Sequence, residues 1–262
     1  MDQRNMEDVK MNKLWSMIAA LVLLLMVAAN CTKTDDPNDG GNDGLVTDTI
    51  VNDTVVADGD SLVSHGVVDL GLPSGVLWAV CNLGAEAPED LGDYYAWGET
   101  AVKDTYFWKD YRYGDFVDDR YAFTKYCTDM NYGLEGFVDY EMVLDSLDDA
   151  ATFCWGGEWR IPTKGEWEEL FQNTTNAWFT QNGVDGWLFT AANGNSMFLP
   201  AAGFHWDDAY NYDGLGLYWS STLNKEFPNR SWSFYFNAYQ CHVCGSRDRN
   251  CGLPIRAVCS RQ

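Results

Sequence analysis

The residues that could do chemistry in this 262-residue chain are few and unevenly placed. Histidine occurs three times, at His65, His205 and His242, and no Ser-His-Asp pattern is visible along the sequence. Cys241-His242-Val243-Cys244, with Cys251 downstream, brings thiols and an imidazole close together. A structural zinc site shows two closely spaced ligand pairs. One pair is evident here, so disulfide or free thiol accounts for these cysteines better than zinc. Adjacent carboxylates stand at Asp118-Asp119, Glu168-Glu169 and Asp207-Asp208. Neighbouring side chains point different ways, and a solvated acidic face explains them. A glycosidase needs two acids about 5–10 Å apart across a cleft, which sequence spacing does not display. From Asp129 to Glu141 the chain is rich in acids and Asn, but Gly133 and Leu134 take the fifth and sixth loop positions and break EF-hand spacing. Turn chemistry explains that stretch. No metal and no cofactor are therefore expected, with calcium left open.

Residue types suited to binding are more plentiful. Trp206-Asp207-Asp208-Ala209-Tyr210 reads as an exposed aromatic loop, with Tyr212 just beyond it. The segment NAYQCHVCGSRDRN, residues 237–250, shows no core pattern and reads as a loop carrying Tyr239, His242, Arg247 and Arg249. Loops on a rigid scaffold are where binding function sits. Together these nine residues are the candidate ligand contacts, and an ordinary hairpin loop is the competing reading of 237–250. Trp97 reads better as core. Exposed Trp and Tyr suit sugar rings and protein contacts alike. Of the eight cysteines, Cys31 is set apart by its context below, which leaves an odd number and so at least one free thiol. Cys81 and Cys259 fall in the first and last expected strands, and they are the expected bridge if those strands are adjacent.

The elements that must position these residues are legible in patches. In GGEWRIPTKGEWEEL, residues 156–170, Thr163 and Glu166 form a capping box just after Pro162. Trp167, Leu170 and Phe171 then form one apolar helical stripe. A shorter helix, AATFCW, follows the acids Asp148-Asp149. GVLWAVCNLG reads as a strand buried on both sides, and residues from about 92 to 141 as a long loop region. Strand signals follow at 187–190, 196–204, 217–222 and 232–237, and in the close LPIRAVC. In WSFYFN, Trp232, Phe234 and Phe236 alternate with Ser233, Tyr235 and Asn237. No solenoid repeat is present. Two short helices and clustered short strands predict an α+β fold with antiparallel sheet.

The N-terminus reads differently. Met17 to Ala29 is almost wholly apolar and follows Lys13. It falls short of the roughly 18–20 apolar residues of a spanning helix and fits a secretory h-region. Residues 1–31 resemble a bacterial lipoprotein signal with Cys31 as the acylated residue. Residues 32–63 hold eight Asp, one Lys and no aromatic residue. Such a segment buries too little to fold and reads as a tether, which when extended reaches on the order of 100 Å. Lys33-Thr34-Asp35-Asp36 resembles the acidic tag that directs some lipoproteins to the outer face of the outer membrane. Three triplets around Thr49, Thr54 and Ser61 resemble Asp-Ser/Thr-aliphatic O-glycosylation acceptors. The folded domain is expected over residues 64–262. A formal charge of −22 argues against nucleic acid and against docking on an anionic membrane surface, leaving the lipid as the membrane attachment.

VDLGLPSGVLWA (68–79), DYYAWGET (93–100), DDAATFCWGGEWRIPTKGEWEEL (148–170), NGNSMFLPAAGF (193–204), YWSST (218–222) and LPIRAVC (253–259) resemble, in order, the Fibrobacter succinogenes major paralogous domain family. The resemblance implies a C-type-lectin-like fold related to the formylglycine-generating enzyme group, on a surface lipoprotein, and brings no established activity. Glu226-Phe227-Pro228-Asn229 is faintly similar to the lectins' calcium-linked Glu-Pro-Asn motif, with Phe227 interrupting it. Cys241 and Cys244 lie where the oxidases keep reactive cysteines, but closer together. The expected function is non-catalytic recognition of a glycan or surface protein. A divergent enzyme with a low-pKa thiol at Cys241 or Cys244, and a structural assembly role, are the alternatives.

Overall fold

The computed structural model describes residues 65–211 and 214–261, the side chains of Val243 and Cys244 excepted. The expected lipidation at Cys31, glycosylation at Thr49, Thr54 and Ser61, and the candidate Tyr212 lie outside the described residues. Among the described residues no helix is long and apolar enough to cross a membrane.

The described residues begin with strands β1 (Val67–Val68) and β2 (Leu77–Ala79), then a small hairpin, β3 (Phe116–Val117) and β4 (Arg120–Tyr121). Helices α1 (Ala150–Trp155) and α2 (Lys164–Asn173) follow. Strands β5 (Thr174–Gln181), β6 (Val184–Ala191) and β7 (Ser196–Pro200) form one sheet. A short hairpin, β8 (Phe204–Trp206) and β9 (Ala209–Asn211), leads into the sheet of β10 (Gly216–Leu223), β11 (Arg230–Phe236) and β12 (Cys241–Asp248). The final strand β13 (Val258–Cys259) returns to pair with β2. Among the described residues every pair of these strands is antiparallel. The architecture is α+β, as the pattern predicts.

Helix α2 starts where its sequence says. Thr163 Oγ1 accepts from the Glu166 N–H at 3.2 Å, and Glu166 accepts from the Thr163 N–H at 2.7 Å. Burial works against the Glu166 carboxylate, but hydrogen bonds from Arg160 and Thr163 hold it below the usual range. Trp167 and Leu170 are buried, and the Trp167 indole donates to the Trp219 carbonyl at 3.1 Å. The β10–β11–β12 sheet separates two cores. Leu217, Trp219 and Leu223 pack with the long excursion before α1. Tyr218, Phe234 and Phe236 pack with α2 and the β5–β6–β7 sheet.

One expectation is extended and two need correction. The region from about 92 to 141 is the long loop region expected, with little regular structure, and it also forms a core layer. Tyr95, Trp97, Tyr106, Tyr111, Phe123 and Tyr126 within it are all buried, and Trp97 is core as read. Residues 237–250 are mostly strand β12, not a loop, because they pair with β11 from Arg230↔Asp248 to Phe236↔Cys241. The Cys81–Cys259 bridge is absent although β2 and β13 are neighbours, and both thiols are free. The register places Cys259 opposite Leu77, four residues from Cys81. At about 3.3 Å per residue that is near 13 Å, beyond the roughly 7 Å a disulfide tolerates.

Arg249 ties the excursion to the sheet. It is fully buried. Its Nε donates to the Tyr111 hydroxyl at 2.9 Å, Nη1 to the Tyr126 and Pro228 carbonyls at 3.1 Å each, and Nη2 to the Lys125 carbonyl at 3.0 Å. The guanidinium lies 4.5 Å from the Phe123 ring centre and 5.0 Å from that of Trp97. Replacing Arg249 with Met strands those acceptors in the core, which should lower unfolding free energy by at least about 3 kcal/mol. Urea denaturation reads this directly, and an unchanged midpoint would contradict the clamp.

Candidate functional site

The β8–β9 hairpin turns at Asp207-Asp208, with Asp207 at a φ of 54°. Its strands are strapped to the body. His205 exchanges backbone bonds with Gly252 at 2.8 and 3.0 Å, and the Tyr106 N–H donates to the Asp207 carbonyl at 2.7 Å. The strapping leaves Trp206 53% exposed and Tyr210 43% exposed. The Tyr210 hydroxyl is committed, donating to the Ala202 carbonyl at 3.0 Å. Burial, with Asp208 adjacent, pushes the Asp207 carboxyl up. Burial among Tyr94, Tyr106 and Tyr210 lowers the His205 imidazole, so neutral histidine is favoured there.

Beside this hairpin lies the outer strand β12. Between Ser233↔Gly245 and Tyr235↔His242 its register slips by one residue. The slip is a β-bulge, which re-aims side chains. It brings His242 to the face that carries Gly245 and Arg247. The His242 ring stacks on Tyr235 at 5.9 Å and 25°. The Arg247 guanidinium lies over the Phe204 ring, 5.3 Å from its centre.

Two clefts meet at Arg247 and Ser246. One, of about 260 Å³, is bounded by Phe204, Trp206, Arg230 and Asp248. The other, of about 340 Å³, is bounded by Ser233, Tyr235, His242 and Gly245. Each is near the small end of ligand pockets. Two buried donors on these walls, Ser233 Oγ and Arg247 Nε, have no hydrogen-bond partner. Native proteins rarely leave such groups unserved. The neighbouring charges are spoken for, since Asp248 Oδ1 accepts from Arg230 Nε at 3.1 Å and from Asn229 Nδ2 at 3.0 Å.

Of the expected contacts, Trp206 and Arg247 line the first cleft, and His242 and Arg247 line the second. Asp207 and Asp208 form the hairpin tip. Tyr239 is 96% exposed in the β11–β12 turn and lines neither cleft. Arg249 is corrected: it is sealed in the core, and its donors serve the fold. Ser233, Tyr235, Phe204 and Ser246 were not among the candidates. The alternation in WSFYFN carried the signal for two of them, because it sends Phe234 and Phe236 into one core and turns Ser233 and Tyr235 to the other face.

A third cleft, of about 270 Å³, lies by Val80, Pro88, Glu89 and Gln181. Its carboxylate is engaged, since Glu89 accepts from the Asn182 and Gln181 amides. Among the described residues no group of three or more His, Cys, Asp and Glu is placed to hold a metal ion. In the acid-rich stretch from Asp129 to Glu141, Asp139 accepts the Tyr126 and Cys127 N–H groups, and Asp129 that of Asn131.

No family model, no curated protein and no solved structure matches this chain. The enzyme alternative meets a specific obstacle at Cys241. Burial pushes its thiol up to about 12, whereas a catalytic thiol is lowered. Alkylation of Cys241 should therefore be slow at pH 7 and keep accelerating beyond pH 9. A rate that levels off below pH 8 would restore the reactive-thiol reading.

Proposed function

We propose that the domain is a non-catalytic recognition module that binds a glycan on the face shared by the β8–β9 hairpin and β12. One observation carries the reading. An exposed indole and a Tyr235–His242 stack flank adjoining clefts whose walls hold two unpartnered buried donors. Flat aromatic surfaces beside hydrogen-bond donors match the two sides of a sugar ring, apolar C–H faces and hydroxyl edges. A lectin-like fold, and display by a lipid at Cys31 on an outer-membrane surface, belong to the same proposal. They rest on the family resemblance and on the apolar run Met17–Ala29.

A surface protein is the other ligand class that such a face serves. The glycan is favoured because the clefts are small and separate, where protein interfaces have broad, closely packed cores. Binding of the chain to a broad glycan array, with and without calcium, tests the reading. Trp206→Ala and Tyr235→Ala should each weaken a glycan hit by about tenfold, the cost of losing one aromatic anchor. Trp206→Ala should leave the melting temperature unchanged, because that ring is largely exposed. A folded protein that binds no glycan, or a hit indifferent to both substitutions, would overturn the reading.

A further inference from the structure

We infer that the glycan bound at this face carries a carboxylate, a single uronic-acid-type sugar in an otherwise neutral chain, seated on Arg247 and Ser233. The inference rests on the recognition reading above and adds the ligand's chemical class.

The argument begins with Arg247. Of the two cations on the first cleft, Arg230 is bonded to Asp248, while Arg247 keeps a buried Nε–H without an acceptor. Its guanidinium carbon lies 5.3 Å from the centre of the Phe204 ring, a contact that holds the donor fork beside the cleft. An unpartnered guanidinium donor fits a charged carboxylate better than it fits a lone hydroxyl. Ser233 supplies the second donor. The residue is 1% exposed, its Oγ has no partner, and it lines the same cleft as Arg247.

Gly245 lines the same cleft. In the ladder it stands opposite Ser233, two residues from Arg247 on the same face. A Cβ there would lie 3.1 Å from Ser233 Oγ and 3.2 Å from Tyr235 Cβ, closing over the orphan hydroxyl. Any side chain at this position would crowd a hydroxyl that is already buried.

The surroundings limit how much negative charge can be accepted. The chain as a whole is strongly acidic, with a formal charge of −22. Asp207 and Asp208 sit beside Trp206, and Asp248 lines the first cleft. A polyanion laid across the face would meet these carboxylates on either side of Arg247. One carboxylate flanked by neutral rings meets the cation and avoids them.

The test uses the full chain and paired probes: trisaccharides with one uronic acid, the same sugars with that carboxyl reduced to the alcohol, and an oligouronate. Wild type should prefer the acidic trisaccharide to its reduced partner by about tenfold, the value of a charge-assisted bond. Arg247→Gln should erase that preference while leaving weak binding of the reduced sugar, and Arg247→Lys should restore part of it. Gly245→Val should lower affinity for the acidic probe specifically. A melting temperature near wild type in Arg247→Gln keeps the comparison valid, and Arg247→Lys serves the same comparison if Arg247→Gln is unstable. Equal binding of the acidic and reduced sugars, or a preference that survives Arg247→Gln, would overturn the carboxylate seat and leave the recognition reading standing. A preference for oligouronate over the single acid would overturn the limit to one charge. Binding of a glutamate-rich peptide but of no sugar would overturn the glycan assignment, and no sugar binding by wild type would overturn both readings.

Discussion

A guanidinium with no carboxylate among its hydrogen-bond partners sits at the junction of this domain. Arg249 is surrounded by the rings of Trp97, Tyr111, Phe123 and Tyr126 and donates to three carbonyls and a phenol. Removing a charge from water is costly, and only dense hydrogen bonding with favourable ring faces offsets it. Those partners come from parts of the chain distant in sequence. The Lys125 and Tyr126 carbonyls belong to the excursion before α1, and the Pro228 carbonyl to the β10–β11 turn. Here one side chain fixes how a long, irregular, aromatic segment lies against the sheet.

That segment needs fixing because it has little secondary structure of its own. A second polar knot helps. Asp148 accepts from the hydroxyls of Tyr113 and Tyr126 and from Lys125. Burial opposes the Asp148 carboxylate, yet these bonds hold it below its usual range. The stability that they contribute is therefore present above the ordinary aspartate range and fades as pH falls through the lowered value. With the excursion held, Tyr106 can anchor the hairpin turn through Asp207, and the hairpin can keep Trp206 in solvent. The candidate site thus inherits its rigidity from contacts that no ligand touches. Along β12 the division of labour is plain. Arg249, just past its end, points its donors inward to the frame, while Arg247, two residues earlier, keeps an unused donor at the cleft.

Much of this was legible in the sequence, for identifiable reasons. The capping box at Thr163 and Glu166 is local chemistry, and it forms as read. The alternation in WSFYFN gave β11 and its buried face. Strand β5 was missed, although Asn182-Gly183 behind it is a strong hairpin signal, with both residues at positive φ. Its alternation carries Thr and Asn where apolar residues would mark a core strand. The excursion lacks periodicity, so the sequence marks it only as a long loop region and, Trp97 apart, does not assign its aromatics to the core. Nothing local shows that distant Arg249 buries them. Arg249 and Arg247 look alike in sequence, and only the fold assigns one inward and one to the cleft. The disulfide expectation failed on register, a property of the β2–β13 pairing that residue spacing does not set.

The central claim is that these two arginines have opposite roles, and side-chain NMR separates them. In a ¹H–¹⁵N spectrum of the labelled chain, the Arg249 Nε–H, bonded to the Tyr111 hydroxyl, should exchange slowly and stay fixed during titration with a uronic-acid trisaccharide. The Arg247 Nε–H should move as the acid binds. An Arg249 signal that exchanges rapidly or shifts with the sugar, or an Arg247 signal that ignores a bound sugar, would contradict the account.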